Sequence, residues 1–262
     1  MPDFKPGLVS ISFRKLPPEE IIEAIKPMPL QGIEWGGDVH VPHGDTAVAE
    51  RVGRLTREAG LEPFCYGAYY RFREVHPENK EPGPEIEAVL DSAQALGAPR
   101  VRLWAGEMDF EDASPGYRKA VAARAHEVAQ LAHQRGLAID LEFHGGTLNN
   151  SAEHSLELLG MIHHPNAHTL WQPAVPLSVE ERIAGLKKLL PRVSNVHCFH
   201  WGPGGWKERY PLAEGAEAWR AYLDVFNTVD TSRWISLEYV KNDSLEVLGK
   251  DAVTLAALTR QY

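Results

Sequence analysis

Cysteine is scarce in this chain. Cys65 and Cys198 are the only two, too few and too far apart for a disulfide framework or a zinc cluster, so reduced, buried thiols are expected. Positive charge is also short: 27 Lys and Arg stand against 36 Asp and Glu, a formal charge of −9. Such a balance offers no global field to a phosphate backbone, and nucleic acid is not expected as a partner. No run approaches the ~18 consecutive apolar residues of a membrane span. The start, Met1-Pro2-Asp3-Phe4-Lys5-Pro6, lacks the basic-then-apolar profile of a secretion signal. A cytoplasmic protein with no membrane partner is the expectation. The glycine-rich phosphate turn of an open dinucleotide-binding sheet is missing too, because Ser12-Phe13-Arg14-Lys15 follows the first apolar run.

What is present is enough apolar residue for a packed core, 44% of the chain against 24% charged. Its 262 residues suit two ordinary domains or one large α/β barrel of ~250 residues. Periodicity decides between them. Short β-branched or apolar runs lie at 8–13, 32–35, 62–68, 100–104, 138–143, 168–171, 194–199 and 234–239. Helical spacing fills 18–26, 45–59, 84–97, 115–135, 151–163, 178–190, 216–228 and 243–260. Ser114-Pro115 reads as a cap before a first-turn proline, and Asn150-x-x-Glu153, Ser178-x-x-Glu181 and Asp243-x-x-Glu246 fit capping boxes. Strict βα alternation implies parallel strands joined by helical crossovers. Eight units of about 33 residues make a single-domain (β/α)8 TIM barrel over residues 1–262.

In such a barrel the site forms at the carboxyl ends of the strands. Those ends are polar and aromatic here: Glu34-Trp35-Gly36-Gly37 running on to His40 and His43, Trp104, Glu142-Phe143-His144, Trp171-Gln172-Pro173, His197-Cys198-Phe199-His200-Trp201 and Glu238-Tyr239. Glu142 and Glu238 sit within apolar strands, where a carboxylate needs a compensating partner. A neighbouring arginine, lysine or backbone group would serve for one isolated acid. Two acids with the strand-borne His197 between them in sequence point to a shared divalent cation. His200 lies three residues beyond His197, so a straight strand turns the two to opposite faces. Trp35, Trp104, Trp171 and Trp201 all fall at strand ends, where they either pack a hydrophobic rim or stack on a carbohydrate-like ligand; their polar neighbours favour the second.

These residues resemble the xylose isomerase-like TIM-barrel superfamily of sugar phosphate isomerases and epimerases, which includes ketose 3-epimerases, inosose dehydratase and the apurinic endonucleases. The motifs that carry the resemblance are Gly32-Ile33-Glu34-Trp35-Gly36-Gly37, Leu141-Glu142-Phe143-His144-Gly145-Gly146-Thr147, Val196-His197-Cys198-Phe199-His200-Trp201 and Leu237-Glu238-Tyr239-Val240. The resemblance implies a single divalent ion (Mn, Mg, Zn or Co) on Glu142, Gln172, His197 and Glu238. Gln172 stands where the family's epimerases carry Asp, which removes one ligand charge and weakens the expected binding. It further implies an isomerase or epimerase that moves a proton through a cis-enediolate of a ketose or aldose, phosphorylated or not, with Glu142 and Glu238 as the acid and base pair. Substrate contacts are expected from Trp35, His40, Trp104, His144, Trp171 and His200, and from Lys207 and Arg209 if a phosphate is present. The same parts would serve a metal-dependent dehydratase of the inosose type, and the loss at Gln172 leaves room for a non-catalytic sugar-binding barrel. An apurinic endonuclease is disfavoured, because strand six lacks the Asp and His of a trinuclear zinc site and the charge is −9. A homodimer is expected only by analogy with related barrels.

Overall fold

The computed structural model describes residues 2–78 and 80–262. Eight parallel strands close into one barrel in chain order: β1 (Phe4–Val9), β2 (Gly32–Gly36), β3 (Glu62–Gly67), β4 (Arg100–Leu103), β5 (Ala138–Glu142), β6 (Ala167–Trp171), β7 (Val193–Cys198) and β8 (Arg233–Leu237). Closure is direct, with Phe4 opposite Arg233 and Leu8 opposite Leu237. The outer ring is α1 (Pro18–Ile25), α2 (Thr46–Glu58), α3 (Ile86–Leu96), α4 (Pro115–Gln134), α5 (Ala152–Ile162), α6 (Val179–Leu189), α7 (Ala216–Phe226) and α8 (Leu245–Thr259). This is the (β/α)8 TIM barrel that the alternation predicts. Among the described residues no helix is long and apolar enough to cross a membrane. Both cysteines are buried and unpaired.

The two-residue period of a strand sorts its side chains into two layers. Ile33, Trp35, Val101, Leu103, Ile139, Leu141, Ile235 and Leu237 are buried under the helices. The alternate positions Glu34, Arg102, Glu142 and His197 meet one another across the barrel interior, and Asp140 is buried as well. Lower in the barrel, Phe64 stacks on Trp234 at 4.3 Å and the Arg100 guanidinium closes on Asp140 at 2.5 Å. Between β6 and β7 the register slips by one residue, since Thr169 faces Val193 but Trp171 faces Val196. That bulge sets the parity that turns His197 inward.

Three local expectations shift. The first strand ends at Val9, and Ser10–Phe13 curl into a 3-10 turn in which all four residues are buried; an apolar run can be buried as a turn as well as a strand. Ser151 rather than Asn150 caps α5, accepting from His154 N–H, because the Asn150 amide is held by Asp109 and Glu111. Ser244 rather than Asp243 caps α8, because Asp243 binds Arg209 at 2.5 Å. The Ser114 cap and the Ser178 and Glu181 capping box form as expected.

Candidate active site

Strand parity brings five ionisable side chains together at the upper end of the barrel. Arg102, 1% exposed, donates Nε–H to Glu34 Oε1 at 2.6 Å and Nη1–H to Glu142 Oε2. Glu34 Oε2 lies 3.1 Å from His197 Nε2, and His197 Nδ1 lies 3.4 Å from Glu238 Oε2. The result is a chain of opposite charges running Glu142, Arg102, Glu34, His197, Glu238. Burial alone would raise the Glu34 pKa, but Arg102 and His197 hold it down at about 2. Burial would likewise depress His197, yet Glu238 and Glu34 push it up to about 10.

Gly67 on β3 is required by this arrangement. A Cβ there would lie 2.6 Å from Arg102 Nη2 and 2.8 Å from Glu34 Oε1. Tyr239, next to Glu238, takes a left-handed φ of 49°, and its N–H is tied at 2.8 Å to Ser12 Oγ of the 3-10 turn after β1. A non-glycine residue in that region is costly and is retained where the surroundings fix it. Here the tie fixes the chain direction immediately after Glu238.

Above the charged floor opens a cavity of about 330 Å³ that Glu142, Gln172 and Glu238 reach from below. Trp104, Trp201, Trp206, Tyr69 and Tyr239 form its aromatic walls, with His144, Arg14 and Arg71 between them. One ligand atom each from Glu142, His197 and Glu238 lies within 4.8 Å of the others. Ligands on opposite sides of a divalent cation at ~2.0–2.5 Å stand about 4–5 Å apart, so this spread is close to one coordination shell. Gln172 donates Nε2–H to Phe143 O at 2.9 Å, which leaves its Oε1 buried without a partner. His197 Nδ1 and the indole N–H groups of Trp104 and Trp201 are also buried without hydrogen-bond partners. Orphaned buried polar atoms are uncommon in native structures, and these four belong to the cavity walls and floor.

The sequence-derived residues divide. Glu142, Gln172, His197 and Glu238 gather at the floor, and Trp104 and His144 line the cavity with ring centroids 4.5 Å apart. Trp35 does not reach it: its indole turns outward and donates to Thr56 Oγ1 of α2 at 3.1 Å. Trp171 is packed under α7 against Trp219, Tyr222 and Phe226. His40 is a buried filler between Ser10 Oγ and Phe13 O. His200 lies outside the barrel mouth against Gly215 and Tyr210. Lys207 is exposed beside Trp206, and Arg209 is engaged by Trp206 O, Val240 O and Asp243. Sequence reasoning missed Arg102, Glu34 as its partner, and the lining residues Arg14, Tyr69 and Arg71.

A closed parallel barrel with acids and a histidine meeting at the carboxyl ends of its strands defines a TIM-barrel protein with a candidate metal centre. The chain belongs to the xylose isomerase-like TIM barrel family, whose model matches residues 22–258. No curated protein matches the sequence as a relative. Among solved structures, the probable 3-DHS dehydratase AsbF of Bacillus anthracis superposes with a TM-score of 0.80 at 20% identity, over 96% of this chain and 98% of that one. The 3-keto-D-glucoside 4-epimerase YcjR of E. coli gives 0.74 at 16%, over 97% and 99%. A D-allulose 3-epimerase from Methylomonas sp. gives 0.73 at 14%, over 99% of each chain. At these identities the likeness is one of fold.

Proposed function

We propose that this protein is a divalent-metal-dependent isomerase or epimerase that moves a proton at the carbon beside a sugar carbonyl. The observation that carries the reading is the meeting of Glu142, His197 and Glu238 within 4.8 Å beneath an aromatic cavity. The donor set suits a hard divalent cation, since it offers two carboxylates, an imidazole nitrogen without a hydrogen-bond partner and the orphaned amide oxygen of Gln172. Charge agrees as well. Glu34, Glu142 and Glu238 against Arg102 and a protonated His197 leave one negative charge, and two once His197 gives up its proton to become a ligand, the amount a divalent ion offsets. When bound, such an ion supplies Lewis-acid polarisation of the substrate carbonyl and its neighbouring hydroxyl.

The chain's own residues do the rest. Glu34 accepts from His197 Nε2–H, which fixes the ring and keeps Nδ1 toward Glu238. Arg102 holds the Glu142 carboxylate against the floor. Glu142 on β5 and Glu238 just past β8 reach the cavity from different strands, so one is placed to take the proton and the other to return it. Trp201, stacked on Phe199, lines the cavity with Trp206 and Tyr239 as aromatic surface for C–H packing, while Trp104 carries Arg71 and His144 against its ring.

The test is incubation of the metal-loaded protein in D2O with a panel of ketohexoses and 3-keto-glycosides, followed by NMR and mass spectrometry. The expected result is a product of unchanged skeleton carrying deuterium at the exchanged carbon, abolished by chelator and by Glu142→Gln or Glu238→Gln. Loss of water from the substrate would replace the isomerase reading with a lyase. Absence of any exchange in metal-loaded protein would overturn both.

A further inference from the structure

We propose that the substrate carries an oxyanion group, a carboxylate or a phosphate, received by Arg71 at the lip of the cavity. This names the substrate class of the site and rests on the reading of that cavity as a sugar site. Arg71 lies over Trp104, its guanidinium carbon 3.8 Å from the ring centroid, and lines the same cavity as Glu142 and Glu238. Trp104 also meets His144, with ring centroids 4.5 Å apart. A guanidinium held over a ring with its N–H donors unused can receive a carboxylate or phosphate in bidentate fashion.

Those donors are not spoken for. Among the described residues Arg71 makes no hydrogen bond, and its ion-pair partner is Glu107 at 3.7 Å. Glu107 is itself occupied by a bidentate pair with Arg73 at 2.8 and 3.1 Å and by Lys80 at 3.6 Å. Three cations therefore share one carboxylate at this lip. Burial pulls the Arg71 pKa down, as it does for a cation short of counter-charge. The other arginine in the wall, Arg14, differs because Asp38 at 2.5 Å and the Tyr69 hydroxyl at 3.0 Å already take its donors. Arg209, which the sequence offered for a phosphate, is spent on Asp243 and two carbonyls.

The polarity of the cavity then orients the ligand. Acids on the floor repel an oxyanion and the cationic lip attracts it, so the charged end stays at Arg71 and the carbonyl end goes down to Glu142 and Glu238.

The experiment is isothermal titration of the full chain with three probes: D-glucuronate, D-glucose 6-phosphate and D-glucose. We expect at least one anion to bind about tenfold or more tightly than glucose, as a charge-assisted bidentate pair allows, with the preference shrinking as ionic strength rises. Preference for glucuronate alone identifies a carboxylate, and for the phosphate alone a phosphorylated sugar. Arg71→Met is expected to bring the anions down to the affinity of glucose, and Arg71→Lys to restore part of the preference, with circular dichroism confirming the fold. Glu238→Gln is expected to keep the anion preference, so a failure of metal binding or turnover speaks to the proposed reaction and a failure at Arg71 speaks to this inference. No anion binding by folded wild type, equal affinity for anions and glucose, or a preference that survives Arg71→Met would overturn it.

Discussion

Arg102 is the residue on which the candidate site turns. A guanidinium with 1% side-chain exposure between two carboxylates is costly to bury but costlier to remove, because its loss strands two charges in the interior. Arg102→Met should therefore lower the unfolding free energy by about 3–5 kcal/mol, measured by urea denaturation, and adding Glu142→Gln should recover part of it. A loss near zero would mean the pairing contributes nothing to the fold. Gln172 makes the opposite case, a neutral group where a charge would help. Gln172→Asp gives up the bond to Phe143 O but restores a third carboxylate, and should tighten Mn2+ binding by about tenfold in calorimetry. Unchanged affinity would place Gln172 outside the ligand set. At this scale Glu142, His197 and Glu238 were legible because each is a polar anomaly within an apolar strand. Arg102 is the same kind of anomaly, lying between Val101 and Leu103, and could have been found by the same test. Trp35 and Trp171 were misplaced through parity: once Glu34 faces inward, its neighbour Trp35 must face the helices.

Elements obeyed their local signals wherever no tertiary partner competed for the same group. All eight helices lie where the apolar period puts them, and the Ser178 and Glu181 box closes as spaced, with Glu181 N–H on Ser178 Oγ at 3.2 Å. Ser178→Ala should cost about 1 kcal/mol in thermal or chemical denaturation and leave metal binding unaltered, since α6 lies away from the floor. Where Asn150 and Asp243 looked like caps, an acid pair and an arginine had claimed them, and the next serine took the role. Such competition is a long-range fact that spacing cannot show. The 3-10 turn at Ser10–Phe13 is similar: its purpose emerges only when Ser12 Oγ is found holding Tyr239 N–H, 227 positions away in sequence.

At the scale of the molecule, eight βα units close one ring, and that closure is what brings residues 34, 102, 142, 197 and 238 to one place. The excess of acid noted in the sequence becomes a structural asymmetry, with carboxylates on the floor of the mouth and a group of cations around Glu107 at its lip. The alternation made the ring legible, whereas the polarity of the cavity depends on which side chains already have partners. The central claim is that the floor is a divalent-metal centre, and elemental analysis with Mn2+ titration tests it most directly. The account predicts one ion per chain, lost in Glu238→Gln and in Glu142→Gln while both variants remain folded. A folded wild type that binds no divalent ion, or one whose binding survives both substitutions, would contradict it.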